Sequence, residues 1–359
     1  MTADRTPDVT VVTVTYNAAG LVSACLDALV GQELDGIEMD VVVVDNASTD
    51  GTVELVESRY PSVRIIRSPT NRGFAGGNNL VLDTATSPFV ILLNNDAVPA
   101  PDLVATLVRE LRSAPPQVAA LTARIMLMDT FRLAEPIDPA AARVHGASGE
   151  YVRAADGPVT LVNSTGNQVR TDGYGVDRGW LEDAATHTPG PDVFGFCGAA
   201  AILRTSALRD VGTFDEDFFL YYEDTDLSWR LRLAGHTIRY CAPALVRHVH
   251  AASTGEGSPL FRFHDGRNRL LMLVKDATPA LAVRAVAHYA VTTVSIAVRR
   301  SQPRTHVTTR VRVLASFARL LPRMLLRRGD IGRRTRTDRH DVERLLVPVR
   351  AQASTGYRV

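Results

Sequence analysis

Residues 39–52 read MDVVVVDNASTDGT, a run of β-branched residues that ends abruptly in polar side chains. A short run that is apolar on both faces is typical of a strand buried in a parallel sheet. The Asp, Asn, Ser and Thr residues that follow are favoured in turns and at helix N-caps. The stretch therefore predicts a central strand over 39–45, a polar loop, and a helix over 52–58.

The same alternation of strand and helix extends on both sides of this stretch. Strands are predicted over 9–15, 63–66, 89–93, 198–204 and 238–246. Helices are predicted over 21–30, 77–84, 101–113 and 224–234. Residues 129–192 differ, because they are rich in Gly, Pro, Asp, Asn and Thr, and they predict an irregular excursion. The whole pattern favours an α/β fold with a mostly parallel sheet.

Length and cysteine usage limit the class of protein. The chain has 359 residues, 45% of them hydrophobic, so it can bury a large core and is longer than one average domain. Its three cysteines are far apart and form no CxxC, which argues against a disulfide framework or a thiolate zinc site. The first ten residues lack the basic and apolar parts of a signal peptide. We therefore expect a cytoplasmic protein.

The charge of the chain is unevenly distributed. Residues 284–339 hold fourteen Arg, no Lys and two Asp, so this segment carries +12 although the whole chain carries +1. From about residue 260 the sequence predicts helices, and helices with a cationic and an apolar face lie on anionic membranes. A solvated appendage or an oligomer contact is the alternative. Arg284 and His288 interrupt the apolar tract 281–298, which favours a surface-lying helix over a spanning one.

Polar groups follow three of the predicted strands directly. They are Thr15-Tyr16-Asn17, the run 45–50, and Asn94-Asn95-Asp96. In open α/β sheets, ligands bind beyond the carboxyl ends of the strands. Each group alone could be turn or capping chemistry, but the threefold recurrence favours a binding site. Residues 163–167, NSTGN, predict a turn near the same site.

Five motifs in fixed order carry a resemblance to a known family. They are TYN (15–17), VVVDNASTDGT (42–52), NRGFAGGNN (71–79), LLNNDAVP (92–99) and FFLYYEDTDLSWRLRLAGH (218–236). Together they resemble family 2 glycosyltransferases, especially the bacterial rhamnosyltransferase and galactofuranosyltransferase branch. The resemblance implies a GT-A type α/β fold, a mostly parallel central sheet flanked by helices with a helical C-terminal extension. It implies a catalytic domain over 6–265 and an Arg-rich extension over 266–359.

The resemblance also implies the residues that bind the nucleotide sugar donor. They are Thr15, Asn17, Asp45, Arg72, Gly73, Asn78 and Asn95. The carboxylate of Asp45 would accept a hydrogen bond from the base. Arg72 would lie near the diphosphate, since its guanidinium is a planar, always charged donor. A solvated loop charge is the alternative for Arg72.

Asn94-Asn95-Asp96 stands where the family has its metal-binding DxD motif and departs from it at the first position. Asp96 is the carboxylate left to hold a divalent ion, and Mg²⁺ or Mn²⁺ suits oxygen ligands. By the same resemblance His248 completes the metal shell, with His250 as the competing candidate. A turn role for Asp96 and a polar strand end at His248 remain alternatives.

The acidic motif 221–226 carries the implied catalytic group. Asp224 is expected to take the proton of the acceptor hydroxyl, with Glu223, Asp226 and Trp180 contacting the acceptor. Three acids at a helix N-terminus could instead interact favourably with the helix dipole. Trp180 could belong to the core.

The resemblance predicts an inverting, metal-dependent transferase. We expect dTDP-L-rhamnose as donor, ahead of UDP-galactofuranose and other UDP- or GDP-sugars. The expected acceptor is a glycan or polyprenyl-linked glycan of the cell envelope, reached from the inner face of the plasma membrane. A homo-oligomer remains open, and no nucleic-acid partner is expected, because no recognised binding fold is present.

Two other functions fit parts of the sequence. A sugar nucleotidyltransferase would carry a basic Gly-rich loop after the first strand, which TYNAAG lacks. A non-catalytic glycan- or membrane-binding scaffold is favoured by the lost DxD acid and disfavoured by the retained Asp96 and Asp224.

Overall fold

A nine-stranded mixed sheet lies at the centre of the protein, whose computed structural model describes residues 6–249 and 258–349. The strands are β1 Val9–Thr15, β2 Met39–Asp45, β3 Arg64–Arg67, β4 Phe89–Leu93, β5 Ala97–Pro99, β6 Val118–Leu127, β7 Phe131–Leu133, β8 Arg143–Gly146, β9 Gly149–Arg153, β10 Val162–Ser164, β11 Asn167–Val169, β12 Gly175–Asp177, β13 Ala200–Arg204 and β14 Thr237–His248. Along the central sheet the order is β3-β2-β1-β4-β13-β6-β14-β5, with β10 also beside β6.

The register of the sheet brings the polar groups together at one edge. Strands β3, β2, β1 and β4 run parallel, and Thr15 pairs with Asp45 at the carboxyl ends of β1 and β2. Strand β13 is antiparallel to both β4 and β6. Strand β14 runs parallel to β6, and β5 returns antiparallel to β14. The expected α/β class with a mostly parallel sheet is confirmed.

Helices cover both faces of the sheet and continue to the end of the described chain. They are α1 Val22–Val30, α2 Thr52–Arg59, α3 Gly73–Leu82, α4 Leu103–Ser113, α5 Thr205–Val211, α6 Glu223–Leu233, α7 Pro259–Asp276, α8 Pro279–Arg299, α9 Arg304–Arg334 and α10 Arg339–Glu343. Val41 and Val43 pack with α1 and α4, whereas Val42 and Val44 pack with α3, α5 and α6. This two-sided burial is why residues 41–44 are four valines in succession.

The structure corrects the sequence prediction in three places. Residues 129–192 are not irregular: they form a three-stranded sheet in the order β7-β9-β8, a hairpin of β11 and β12, and strand β10. Helix α3 begins at Gly73, four residues before the predicted start. Strand β6 and helix α5 were not predicted. The sequence of β6, VAALTARIML, is rich in good helix formers, and its pairing with β13 and β14 overrides that preference.

The C-terminal helices share a core with the rest of the protein. Phe218 and Trp229 lie in one buried cluster with Leu270, Leu281 and Phe317. Helix α7 runs across the expected domain boundary at 265/266 without a break. The domain boundary predicted from the sequence therefore falls inside α7.

Helix α8 was expected to lie on a surface rather than to span a membrane. Within the described residues it is the helix that is long and apolar enough to cross a membrane, with a mean hydropathy of 1.5 over its most apolar window. Only 28% of that window is buried. By length and composition alone, α8 therefore meets the criterion for a spanning helix as well.

Candidate active site

The loops after β1 and β2 are tied to each other by side chains. The amide of Asn17 donates to the Ser48 hydroxyl at 2.9 Å, and the Asn17 side-chain oxygen accepts from the Thr49 amide at 2.8 Å. Asn17 has φ 49°, a left-handed conformation that Asn adopts more readily than most residues. The two polar groups predicted from the sequence therefore form one continuous surface.

Asp45 lies at the bottom of this surface. Its Oδ2 accepts from the Ser48 amide at 3.1 Å, and its Oδ1 accepts from the Thr15 hydroxyl at 3.4 Å. Thr15 has no exposed surface. Thr15 therefore supports the Asp45 carboxylate, and its direct contact with the nucleotide stays a prediction.

Helix α3 begins beside this surface and holds the next group of predicted residues. Gly73 has φ 68°, and a Cβ there would lie 2.3 Å from the Phe219 carbonyl oxygen, so glycine is required. Asn78 is buried and donates to the Phe74 carbonyl oxygen of its own helix at 2.9 Å. The side-chain nitrogen of Asn78 is thus used within α3, and a donor contact by Asn78 stays a prediction.

The Arg72 guanidinium is partly exposed and bonded to Glu216 at 2.8 and 2.9 Å. Sequence reasoning missed Glu216. It also missed Asn46, whose amide donates to the Gly73 carbonyl oxygen at 2.9 Å and joins the β2 loop to α3. The position of Asn46, directly after Asp45 in the quoted motif, was the available signal.

The group after β4 lies next to His248. Asn95 donates to the Val14 carbonyl oxygen at 3.0 Å and so ties this group to β1. The carboxylate of Asp96 is 3.0 Å from His248 Nε2. The pairing of β5 with β14, in which His248 stands opposite Ala97, brings the two side chains together. His250 lies outside the described residues.

Asn163 orients the His248 ring from the other side. Its side-chain oxygen is 2.6 Å from His248 Nδ1. An amide oxygen only accepts, so Nδ1 carries a hydrogen and Nε2 faces Asp96. Sequence reasoning placed the turn 163–167 near the site but did not identify Asn163 as a partner of His248.

The Asp96 and His248 pair fits a divalent ion. In an octahedral site with bonds of about 2.1 Å, neighbouring ligand atoms are about 3 Å apart, and a histidine held at its second nitrogen is typical of metal ligands. A direct hydrogen bond from protonated Nε2 satisfies the same distance. Among the described residues no group of three or more His, Cys, Asp or Glu is poised to hold a metal.

Asp224 lies half-buried in the first turn of α6. Its Oδ2 accepts from the Gly198 amide at 2.9 Å, and its Oδ1 accepts from the Thr225 amide at 2.6 Å and hydroxyl at 3.1 Å. Burial raises the pKa of Asp224 above its ordinary value, and these hydrogen bonds oppose the rise. A carboxylate with a raised pKa is a better proton acceptor than an exposed one.

The acids on either side of Asp224 have different environments. Glu223 is buried, and burial together with the nearby Asp224 raises its pKa well above the ordinary value. Asp226 has no exposed surface and pairs with Lys275 and, at 2.9 Å, with Arg230. The Asp226 carboxylate thus belongs to a buried ion cluster, and an acceptor contact by Asp226 stays a prediction.

Trp180, the other expected acceptor contact, lies half-buried against a cluster of Leu127, Phe131 and Leu181. Leu127 is the β6 residue that pairs with His248. An acceptor contact by Trp180 stays a prediction.

A protein-family model described as Glycosyl transferase family 2 matches residues 10–212, more than half of the chain. The chain belongs to glycosyl transferase family 2. Within this family it is similar to an N-acetylglucosaminyl-diphospho-decaprenol L-rhamnosyltransferase of Mycobacterium tuberculosis, at 29% identity over 60% of this chain and 68% of the relative. A pre-mycofactocin glycosyltransferase of the same organism is 30% identical over 68% of this chain and 43% of its own length.

The fold comparison agrees with the family. The structure of GalNAc-T7 with UDP, GalNAc and Mn²⁺ superposes with a TM-score of 0.54 at 12% identity, over 76% of this chain and 48% of the other. The architecture of this family 2 member is the GT-A type, with a helical C-terminal region. The resemblance stated from the five motifs is confirmed at the level of the family, and the chain is a nucleotide-sugar glycosyltransferase.

Proposed function

We propose that this family 2 enzyme is an inverting, metal-dependent transferase that moves L-rhamnose from dTDP-L-rhamnose to a hydroxyl of a polyprenyl-linked glycan. The observation that carries the proposal is the arrangement around the start of β13. The Asn94 amide donates to the Ala199 carbonyl oxygen at 3.0 Å, and the Gly198 amide donates to Asp224 at 2.9 Å. Asn94, whose side-chain nitrogen lies 3.2 Å from His248 Nε2, and Asp224 thus bond to two consecutive residues.

The donor would lie over the joined loops of β1 and β2. Asp45, held by Ser48 and Thr15, offers a carboxylate to a pyrimidine N–H. Asn17, Asn95 and the backbone of Gly73 would contact the donor beside it. Arg72 is partly exposed and would turn from Glu216 to the diphosphate, since a guanidinium binds both carboxylate and phosphate anions.

The transfer step then needs one base and one stabilised leaving group. Asp224 accepts the proton of the acceptor hydroxyl while the hydroxyl oxygen forms the new bond to the anomeric carbon. The bond from that carbon to the diphosphate oxygen breaks with inversion, and the nucleoside diphosphate departs. Asp96 and His248 would hold a divalent ion that neutralises the leaving diphosphate. Arg72 adds positive charge to the same group.

The choice of substrates follows the relatives. The L-rhamnosyltransferase of M. tuberculosis acts, by its name, on N-acetylglucosaminyl-diphospho-decaprenol. The GalNAc-T7 structure holds UDP and Mn²⁺. These support a deoxysugar donor, a polyprenyl diphosphate acceptor and a divalent cation. The polyprenyl acceptor would place the enzyme in the cytoplasm on the inner face of the plasma membrane.

A panel of nucleotide sugars tests the proposal. Release of nucleoside diphosphate is measured with dTDP-rhamnose, UDP-galactofuranose and other UDP- and GDP-sugars, with Mg²⁺, Mn²⁺ or EDTA. We expect cation-dependent release from dTDP-rhamnose. Asp224→Asn should lower the rate on the order of 10²- to 10⁴-fold, and Asp96→Ala should abolish the response to cation.

The matched control is Asp40→Asn. Asp40 is an ion-paired carboxylate at the amino end of β2, the opposite edge of the sheet, and should keep wild-type activity. Release from a UDP- or GDP-sugar alone would move the donor assignment to that sugar. Silence with every donor, together with no nucleotide-dependent rise in melting temperature, would refute the enzyme assignment in favour of a scaffold.

A further inference from the structure

The loop 218–222, which leads into α6, has an unusual backbone. Phe219, Tyr221 and Tyr222 have φ values of 68°, 67° and 70°. This left-handed region is disfavoured for residues with a Cβ, and aromatic residues gain no local hydrogen bond there. Such strain persists only where surrounding contacts over-determine the conformation, and it concentrates at functional sites.

Asn268 supplies those contacts from α7. Its side-chain nitrogen lies 2.8 Å from the Phe218 carbonyl oxygen, 2.8 Å from that of Leu220 and 2.7 Å from that of Tyr221. Asn268 has no exposed surface. One buried side-chain amide therefore contacts three carbonyl oxygens of the strained loop.

Arg267 strengthens the same arrangement. Its guanidinium donates to the carbonyl oxygens of Asp217 at 2.8 Å and Phe218 at 3.0 Å, and through Nε to the Asn268 side-chain oxygen at 2.9 Å. That last bond fixes which end of the Asn268 amide faces the loop, because only the oxygen accepts. The nitrogen is thus directed at the carbonyl groups.

The loop connects the two halves of the site. On one side, the Phe219 carbonyl oxygen accepts from the Ala75 amide at 3.1 Å and packs against Gly73 at the start of α3. On the other side, Tyr222 precedes α6 and stands two residues before Asp224. The Tyr222 hydroxyl accepts from the Gly175 amide at 3.0 Å, which ties the end of the loop to β12.

Lys275, also on α7, forms ion pairs on both sides of the loop. Its ammonium group is buried and pairs with Asp215 at 2.7 Å and with Asp226. Asp215 precedes the loop and Asp226 follows it. Helix α7 is therefore attached to the loop at its beginning, its middle and its end.

We propose that Asn268 is a positioning residue for the transfer reaction. It holds the loop 218–222 in its left-handed conformation, so that Asp224 on α6 faces the donor surface that begins at Gly73. Asn268 touches neither substrate. The inference rests on the proposed role of Asp224 as the base, and it makes α7 a part of the active site rather than of an appendage.

Asn268→Leu, which removes the side-chain nitrogen that contacts the three carbonyl oxygens and keeps a similar volume, tests the proposal in the full-length enzyme. We expect kcat to fall on the order of 100-fold, because a small displacement of a catalytic group has that effect. The affinity for dTDP should stay unchanged, since the hydrogen bonds of Asn268 go to the loop 218–222 and to Arg267. Chymotrypsin, which cleaves after Phe, Tyr and Leu, should cut within 218–222 faster than in the wild type, and mass spectrometry locates the cut.

Arg204→Leu is the matched control for lost stability. Arg204 donates to three carbonyl oxygens, those of Val118 at 2.9 Å, Ala114 at 3.0 Å and Leu111, at the far end of β13. It should lower the melting temperature while kcat per folded molecule and loop protection stay at wild-type levels. Asn268→Gln, which keeps the amide but displaces it, is the second variant should Asn268→Leu not fold, and it should show the same changes to a smaller degree.

The outcomes separate this inference from the proposed function. Wild-type kcat and a protected loop in folded Asn268→Leu or Asn268→Gln would overturn the positioning role. Equal losses of kcat in Asn268→Leu and Arg204→Leu would overturn it too, because the effect would then be general destabilisation. Loop cleavage is read without any assay of transfer, so wild-type activity of Asp224→Asn would refute the base while leaving the cleavage result intact.

Discussion

At the scale of single residues, Asp224 is defined by opposing influences on its charge. Burial favours the neutral form, while hydrogen bonds from Gly198 and Thr225 favour the carboxylate. The net result is a raised pKa. A base acts when deprotonated, so the transfer rate should fall as the pH decreases through that pKa.

Thr225→Val should move this acid limb of the kcat profile to higher pH. The substitution keeps the shape of the side chain and removes the hydroxyl that donates to Asp224 at 3.1 Å, so the carboxylate loses stabilisation and its pKa rises further. The measurement is kcat against pH for both enzymes. Thr10→Val, a buried Thr at the opposite edge of the sheet, is the control and should keep the wild-type profile. Identical profiles for Thr225→Val and wild type would contradict the base assignment.

At the scale of elements, strand pairing builds the candidate metal site. Strand β14 brings His248 to β5 and hence to Asp96, and β10 brings Asn163 to the ring through its pairing with β6. Three segments that are distant in sequence thus meet at one imidazole. The hydrogen bond from Nδ1 to Asn163 is the kind of outer contact that orients a metal-binding histidine.

Asn163→Leu should weaken Mn²⁺ binding by about 10- to 100-fold, the usual effect of losing such a contact. Asn163→Asp should retain affinity, because its carboxylate still accepts from Nδ1. Electron paramagnetic resonance of free Mn²⁺, titrated in the presence of dTDP, measures both. Equal affinity of Asn163→Leu and wild type would argue for a plain hydrogen bond between His248 and Asp96 in place of a metal site.

At the scale of the whole molecule, the C-terminal helices complete both the core and the charge balance. Burial raises the pKa of Asp215, but Lys275 on α7 and Arg327 on α9 outweigh it and hold that pKa at about 2. Asp215 therefore contributes stability above its ordinary pKa, and that contribution is lost as the pH falls towards 2. Removing the partners of a buried charge typically costs about 3–5 kcal/mol.

A fragment ending at residue 265 should therefore fail to fold. It would leave Asp215 and Asp226 without Lys275 and would expose Phe218 and Trp229. Calorimetry should show no cooperative transition for this fragment, whereas a chain ending at residue 349 should melt like the full-length protein. A cooperative, nucleotide-binding fragment 6–265 would support the predicted division into a catalytic domain and an independent extension.

The outer face of α8 suits an anionic membrane. Val283, Val291, Val294 and Val298 are 68%, 67%, 63% and 76% exposed. Fourteen arginines lie in residues 284–339. We propose that this part of the protein binds anionic lipid through apolar burial and electrostatic attraction.

The protein should sediment with phosphatidylglycerol vesicles and much less with phosphatidylcholine vesicles, and salt should weaken the binding. Val294→Glu should reduce sedimentation, whereas Val30→Glu, an equally simple change of an exposed valine on α1, should not. Full recovery of wild-type protein in the supernatant with both lipids would contradict the membrane proposal.

The sequence by itself determined the α/β class, strands β1, β2 and β4, the three polar groups at their carboxyl ends and the family. These are local properties: a run of valines, a turn and a motif each lie within a few consecutive residues. Only the tertiary structure decided that Thr15 and Asn78 are buried supports, that Asp226 pairs with Lys275, and that β6 is a strand. It also decided that Asn163 orients His248 and that Asn268 holds the loop before Asp224. Apart from the bond of Asn78 within α3, each of these depends on pairing between distant segments, and local periodicity carries no information about such partners.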